Sequence, residues 1–193
     1  MISSLYITKS KIRESLLILF FTNPQKKYYL RELERILGFS AGSIRRELLR
    51  FAGDNLFKTE KAGNLLCYSL NNNHPLFDEL KSIVSKTVGV EHSLRTELVK
   101  LNKIKIALIF GSFASKKEGE KSDIDLMVIG NPDITKLNNK ISFLENKLKR
   151  EINHVAYSPE EYQLKKRENS QFVLDILKKP KIILIGEESN LLV

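Results

Sequence analysis

The 193-residue sequence contains one cysteine, Cys67, no tryptophan, five prolines and nine glycines. A single thiol excludes a disulfide framework and a cysteine-built zinc site, and it fits a reducing compartment. So little proline and glycine excludes a collagenous or low-complexity chain. Long apolar runs are missing as well: Ser15–Phe21 and Ile106–Phe110 fall far short of the roughly 18 residues of a membrane span. No basic start leads into an apolar stretch and a small-residue cleavage site. The expectation is a soluble, cytoplasmic protein without a membrane partner. Its length suits one large domain or two small ones, and 42% hydrophobic residues with 28% charged ones suit a globular core.

Negative charge is comparatively scarce. Lys and Arg number 32 against 23 Asp and Glu, for a net charge of +9. Residues 1–90 hold 14 basic and 8 acidic residues, and residues 91–193 hold 18 and 15. The excess therefore concentrates in the first part, as a footprint for a polyanion would. A merely soluble basic protein would look the same, so charge alone does not assign a partner.

Apolar spacing carries more. After Ser10, the residues Ile12, Leu16, Leu17 and Phe20 recur at helical intervals until Asn23-Pro24. Leu30, Leu33, Ile36 and Leu37 make a second helix closed by Gly38, a natural left-handed cap. Ser40 is positioned to cap a third helix whose inward stripe is Ile44, Leu48 and Phe51. A strand pair follows, Leu56–Glu60 and Leu65–Leu70, around Gly63-Asn64. Helix, short turn, helix and hairpin is the layout of a winged helix-turn-helix, in which the third helix enters the major groove of double-stranded DNA. The expected contacts are Ser43, Arg45, Arg46 and Arg50 on that helix, with Lys58, Lys61 and Asn64 on the hairpin. A solvated helix face is the plainer alternative, because Glu47 sits beside Arg46 and Arg50. Cys67 reads as filler in a half-buried strand.

Residues 1–74 are thus expected to form the DNA-binding domain. Residues 75–102, from a helix opened by Pro75, form a helical connector whose apolar face awaits something to pack on, a homodimer partner being one choice. Residues 103–193 form a second domain.

In that second part, the apolar strand Ile104–Phe110 runs into Gly111-Ser112, and Ser122-Asp123-Ile124-Asp125 leads into another, Leu126–Ile129. Asp123 and Asp125, two apart in extended chain, project from one face. Paired carboxylates repel unless a cation lies between them, and hard oxygen ligands suit Mg²⁺ completed by phosphates and water. Gly111 permits close backbone approach to a phosphate, and the Ser112 hydroxyl can donate to it. Leu137, Ile141, Leu144 and Leu148 describe a covering helix. Ser158-Pro159-Glu160-Glu161 describes a helix cap, and Ile182–Ile185 a last strand. Lys116, Lys117 and Lys121 read as a solvated loop.

The segment GSFASKKEGEKSDID, residues 111–125, resembles the Gly-Ser…Asp-x-Asp signature of the polymerase-beta-like nucleotidyltransferases, in their minimal branch. HPLFDELKSIVSKTVG, EINHVAYSPEEY and KKPKIILIG resemble archaeal and bacterial proteins that join a winged helix to such a domain. The resemblance implies an α+β chain: a winged helix-turn-helix, then a small nucleotidyltransferase fold with a mixed sheet. It further implies that Gly111 and Ser112 hold an NTP such as ATP, and that Asp123 and Asp125 bind Mg²⁺. A third carboxylate on a later strand usually holds a second metal and serves as base. Here Asn153 occupies that place, and an amide has no charge and cannot accept the proton. Glu151 shares the strand face of Asn153, whereas His154 points away and reads as a packed histidine.

The expected function is a DNA-binding regulator that binds Mg-nucleotide without turnover. An active transferase acting on a small molecule or protein is one alternative, and an antitoxin-like protein partner another.

Overall fold

A computed structural model describes residues 10–115 and 122–192, so Lys116, Lys117 and Lys121 lie outside the described residues. The chain divides into two compact units, residues 1–90 and 91–193.

The first unit is built around α1, Lys11–Thr22, opened by Ser10, whose Oγ accepts from the Arg13 amide at 3.4 Å. Every residue from Leu16 to Thr22 is buried. The second half of α1 is therefore covered on all sides, which an apolar run without polar interruption allows. Helices α2, Leu30–Leu37, and α3, Ala41–Gly53, meet at Gly38, whose φ of +72° is the expected left-handed cap. The start of α3 departs from expectation. Ser40 stands at the N-cap, but its hydroxyl is bonded to Ser43 Oγ, and the Ala41 amide instead donates to Glu34 Oε1 at 3.1 Å. A carboxylate from α2 does the capping, at the positive end of α3.

The expected strand pair is a three-stranded antiparallel sheet. Strands β2, Phe57–Ala62, and β3, Leu65–Leu70, join through Gly63-Asn64, with φ of +61° at Gly63, and β1, Tyr28–Tyr29, pairs with the other edge of β3. Two residues are too few for an alternation signal, so β1 is invisible to periodicity. Leu33, Ile44, Leu48, Phe51 and Tyr68 close the core, with Phe20 packed on Phe57 at 4.4 Å and on Tyr28 at 5.0 Å. Cys67, next to Tyr68 on β3, is buried outside that cluster, and desolvation pushes its thiol pKa up. Helix α4, Phe77–Thr87, starts two residues after Pro75 and packs Leu80 and Val84 into this core against α1. Its apolar face is thus used within the unit.

In the second unit, α5, Val90–Leu98, ties to α7, Ile134–Leu148, through Glu97 and Lys140. Strands β4, Ile104–Phe110, β5, Ile124–Gly130, β6, Ile152–Tyr157, and β7, Ile182–Ile185, form one sheet in the order β6-β5-β4-β7. Only β5 and β6 run parallel, so the sheet is mixed, as expected. Helix α7 buries Leu137, Ile141, Leu144 and Leu148, and its Asn138 is bonded to His154 of β6 at 3.1 Å. His154 is exposed rather than packed. The opposite face, bearing Ile106, Leu108, Met127 and Ile129, is covered by α8, Pro159–Arg167, α9, Gln171–Lys178, and α10, Ser189–Leu192. Ser158 and Glu161 make the expected capping box on α8. No element was expected over α9, whose buried Val173 and Ile176 are a short signal beside the exposed residues around them.

Candidate functional site

The ends of three neighbouring strands set the site. Phe110, the last residue of β4, pairs across to Asp125 on β5, and Asp125 pairs across to Asn153 on β6. Alternation from Met127 and Ile129 places Asp125 on the face that α8 and α9 cover further along the sheet. Where that cover ends, α6, Gly111–Ala114, turns off β4 with φ of +72° at Gly111. A Cβ at Gly111 would stand 2.1 Å from Asp125 Oδ2. Glycine is required here twice over: by a backbone conformation that side chains disfavour, and by the carboxylate occupying the side-chain position. The close approach foreseen for a phosphate is first an approach to the protein's own acid.

Asp123 directly precedes β5 on the same face. Its Oδ2 accepts from Asn153 Nδ2 at 2.9 Å, so the amide in the third strand position orients Asp123. Asp125 has its pKa raised, by burial first and by the negative charge of Asp123 second. Among the described residues no basic side chain counters either effect. Among them, too, no group of three or more His, Cys, Asp and Glu gathers in a metal-binding cluster. What the site offers a cation is the carboxylates of Asp123 and Asp125, hard oxygen donors of the kind that suit Mg²⁺. Ser112 is half-buried beside them in α6, and Glu151 is exposed, its carbonyl accepting from the Ile124 amide at 2.9 Å.

Spacing did not reveal Arg150. It is only 9% exposed, its Nε donates to the Ser122 carbonyl at 2.6 Å, and its guanidinium lies 5.7 Å from the Phe113 ring centroid. Ser122 precedes Asp123, and Phe113 follows Ser112. One planar cation thus braces both halves of the site, by hydrogen bond and by cation–π contact. In sequence it sits at the end of a charged helix and looks like any surface arginine.

The first unit presents the other expected residues. Arg45, Arg46 and Arg50 are exposed on α3, and Ser43 is half-buried in its bond with Ser40. Arg50 is already paired: buried Glu47 takes Arg50 at 3.2 Å and Arg13 at 3.0 Å. Among the described residues Arg45 and Arg46 make no ion pair, and they form the less engaged part of the face. Lys58 and Lys61 are both exposed on β2, but three residues apart in a strand they point to opposite faces, and Asn64 lies in the turn.

A polymerase beta nucleotidyltransferase family model matches residues 92–188, half of the chain. No curated protein matches. Two solved structures are similar over part of their length. One, a toxin–antitoxin with AMP-PNP, is 18% identical with a TM-score of 0.40, over 52% of this chain and 77% of that one. The other, a mutant of the toxin–antitoxin MntA-HpeT, is 16% identical with a TM-score of 0.37, over 52% and 73%. Likeness at that level is too slight to transfer a ligand or a partner.

Gly111→Ala should force Asp125 out of its seat and strain the backbone, at a cost of about 1–2 kcal/mol. Urea unfolding should show the loss, and the Asp125 carboxyl signal in NMR should move. An unchanged Asp125 environment would mean that the carboxylate is not held against this glycine.

Proposed function

Since the chain belongs to the polymerase beta nucleotidyltransferase family, we propose that residues 91–193 bind a nucleoside triphosphate such as ATP with Mg²⁺. On this reading they do so as a sensor, and residues 10–90 act as a winged helix-turn-helix that reads double-stranded DNA. One observation carries the first half: Asp125, destabilised by burial and by Asp123, is seated on Gly111 with no described cation to relieve it. Bound there, Mg²⁺ would neutralise the two carboxylates and hold phosphate oxygens. Asp123 and Asp125 supply the ligands, Asn153 fixes the Asp123 rotamer, and Ser112 can donate to a phosphate. Arg150 holds both segments in place.

Asn153 separates binding from turnover. It sits in register with Asp125 on the next strand, within hydrogen-bonding distance of Asp123, where a third carboxylate would complete a two-ion site. An amide there accepts no proton from an attacking hydroxyl. Family membership itself favours the second reading, an active transferase. For the third, an antitoxin-like binding partner, no described residue speaks.

Support for the DNA half is the exposed trio on α3 and the hairpin behind it. Because Glu47 already engages Arg50, the reading rests mainly on Arg45 and Arg46.

Four outcomes are expected. Asp125→Asn removes a charge whose ionisation disfavours the folded state. The raised pKa means that stability falls as pH climbs from the ordinary carboxylate range through the folded value, so the variant should melt a few degrees higher near neutral pH. In calorimetry it should also lose Mg²⁺-dependent ATP binding; undiminished binding would remove the pocket. With labelled ATP, Mg²⁺ and cell lysate, wild type should transfer no label and Asn153→Asp should transfer some; Asp125-dependent transfer by wild type would establish the transferase. Arg45→Ala with Arg46→Ala should weaken DNA binding and lower the salt slope by about 2. An unaltered slope would show that α3 does not face the phosphates.

A further inference from the structure

An aromatic pair lies beside the phosphate site and has no part in the reading above. Phe110 is half-buried at the end of β4, directly before Gly111 and across from Asp125. Phe172, on the first turn of α9, meets it edge to face, with centroids 5.6 Å apart and planes at 83°. The Phe172 ring nevertheless stays 42% exposed, on a helix whose Val173 and Ile176 are buried. Core packing explains Phe110, which rests on the cluster under α8 and α9. It does not explain an aromatic left this open where the sheet cover ends.

We propose that Phe172, backed by Phe110, is the platform on which the base of the bound nucleotide stacks. The proposal rests on the phosphate reading of Asp123 and Asp125 and gives that pocket its second half. One cross-strand step of about 5 Å separates the side-chain positions of Asp125 and Phe110. One ring-to-ring step of 5.6 Å separates Phe110 from Phe172. A nucleotide whose phosphates lie at the carboxylates is long enough for its base to reach that ring. Every nucleobase has a π-face, so the platform supplies affinity for the nucleoside end without selecting one base by hydrogen bonds. The edge contact from Phe110 fixes the Phe172 ring before the ligand arrives, which lowers the entropy lost on stacking.

The test uses the full chain and two probes, Mg-ATP and Mg-tripolyphosphate, the second carrying the phosphates without a base. Calorimetry should show Phe172→Ala weakening Mg-ATP by roughly tenfold while leaving Mg-tripolyphosphate at its wild-type affinity. Phe172→Trp, which keeps a π-face, should retain Mg-ATP binding. An unchanged ratio of the two affinities in Phe172→Ala overturns the platform, whether both probes hold or both weaken together. Wild-type protein that binds tripolyphosphate as tightly as ATP overturns it too and leaves the phosphate reading standing. Wild-type protein that binds neither probe overturns both.

Discussion

Two like charges two residues apart in extended chain, both half-buried, are unfavourable unless something else is gained. The second unit is arranged around that contact. Asp125 lies on Gly111 so closely that no other residue fits there, and the backbone takes a positive φ to make the space. Asn153 donates to Asp123, and Arg150 braces the segments on either side. A fold selected for stability alone would replace one of the acids, because burial and repulsion both act against its ionised form. Keeping both is intelligible if a cation is to lie between them.

Asn153 faces that pair from the neighbouring strand. The same geometry with a carboxylate on β6 would gather three anions and a base. With an amide it gathers two carboxylates and a neutral side-chain donor that accepts no proton. Exchanging the amide nitrogen of Asn153 for oxygen would change the charge at that position while leaving the strand pairing with Asp125 in register.

The first unit shows a related economy. Its α1 is buried along its second half, and from its first turn Arg13 reaches Glu47, so the helix both fills the core and steadies the face of α3. Glu47 also draws in Arg50, which stays exposed on α3 beside Arg45 and Arg46. Among the described residues no helix is long and apolar enough to cross a membrane.

Local order explains which features could be read in advance. Strand β4, the covering stripe of α7, the Ser158 capping box and the Gly38 cap each depend on residues within a few positions, and spacing alone exposes them. Gly111-Ser112 after one apolar strand and Asp123 and Asp125 at the start of another are legible in the same way, but the seating of Asp125 against Gly111 is not. Strand β1, the Glu34 cap on α3, the Arg150 brace and the Phe110–Phe172 pair depend on partners far away in the chain. The sequence by itself determined which residue types stood at the strand ends and with what charge. Only the tertiary structure decided which of them touch, because contact across a sheet is set by register and packing, and neither leaves a periodic mark.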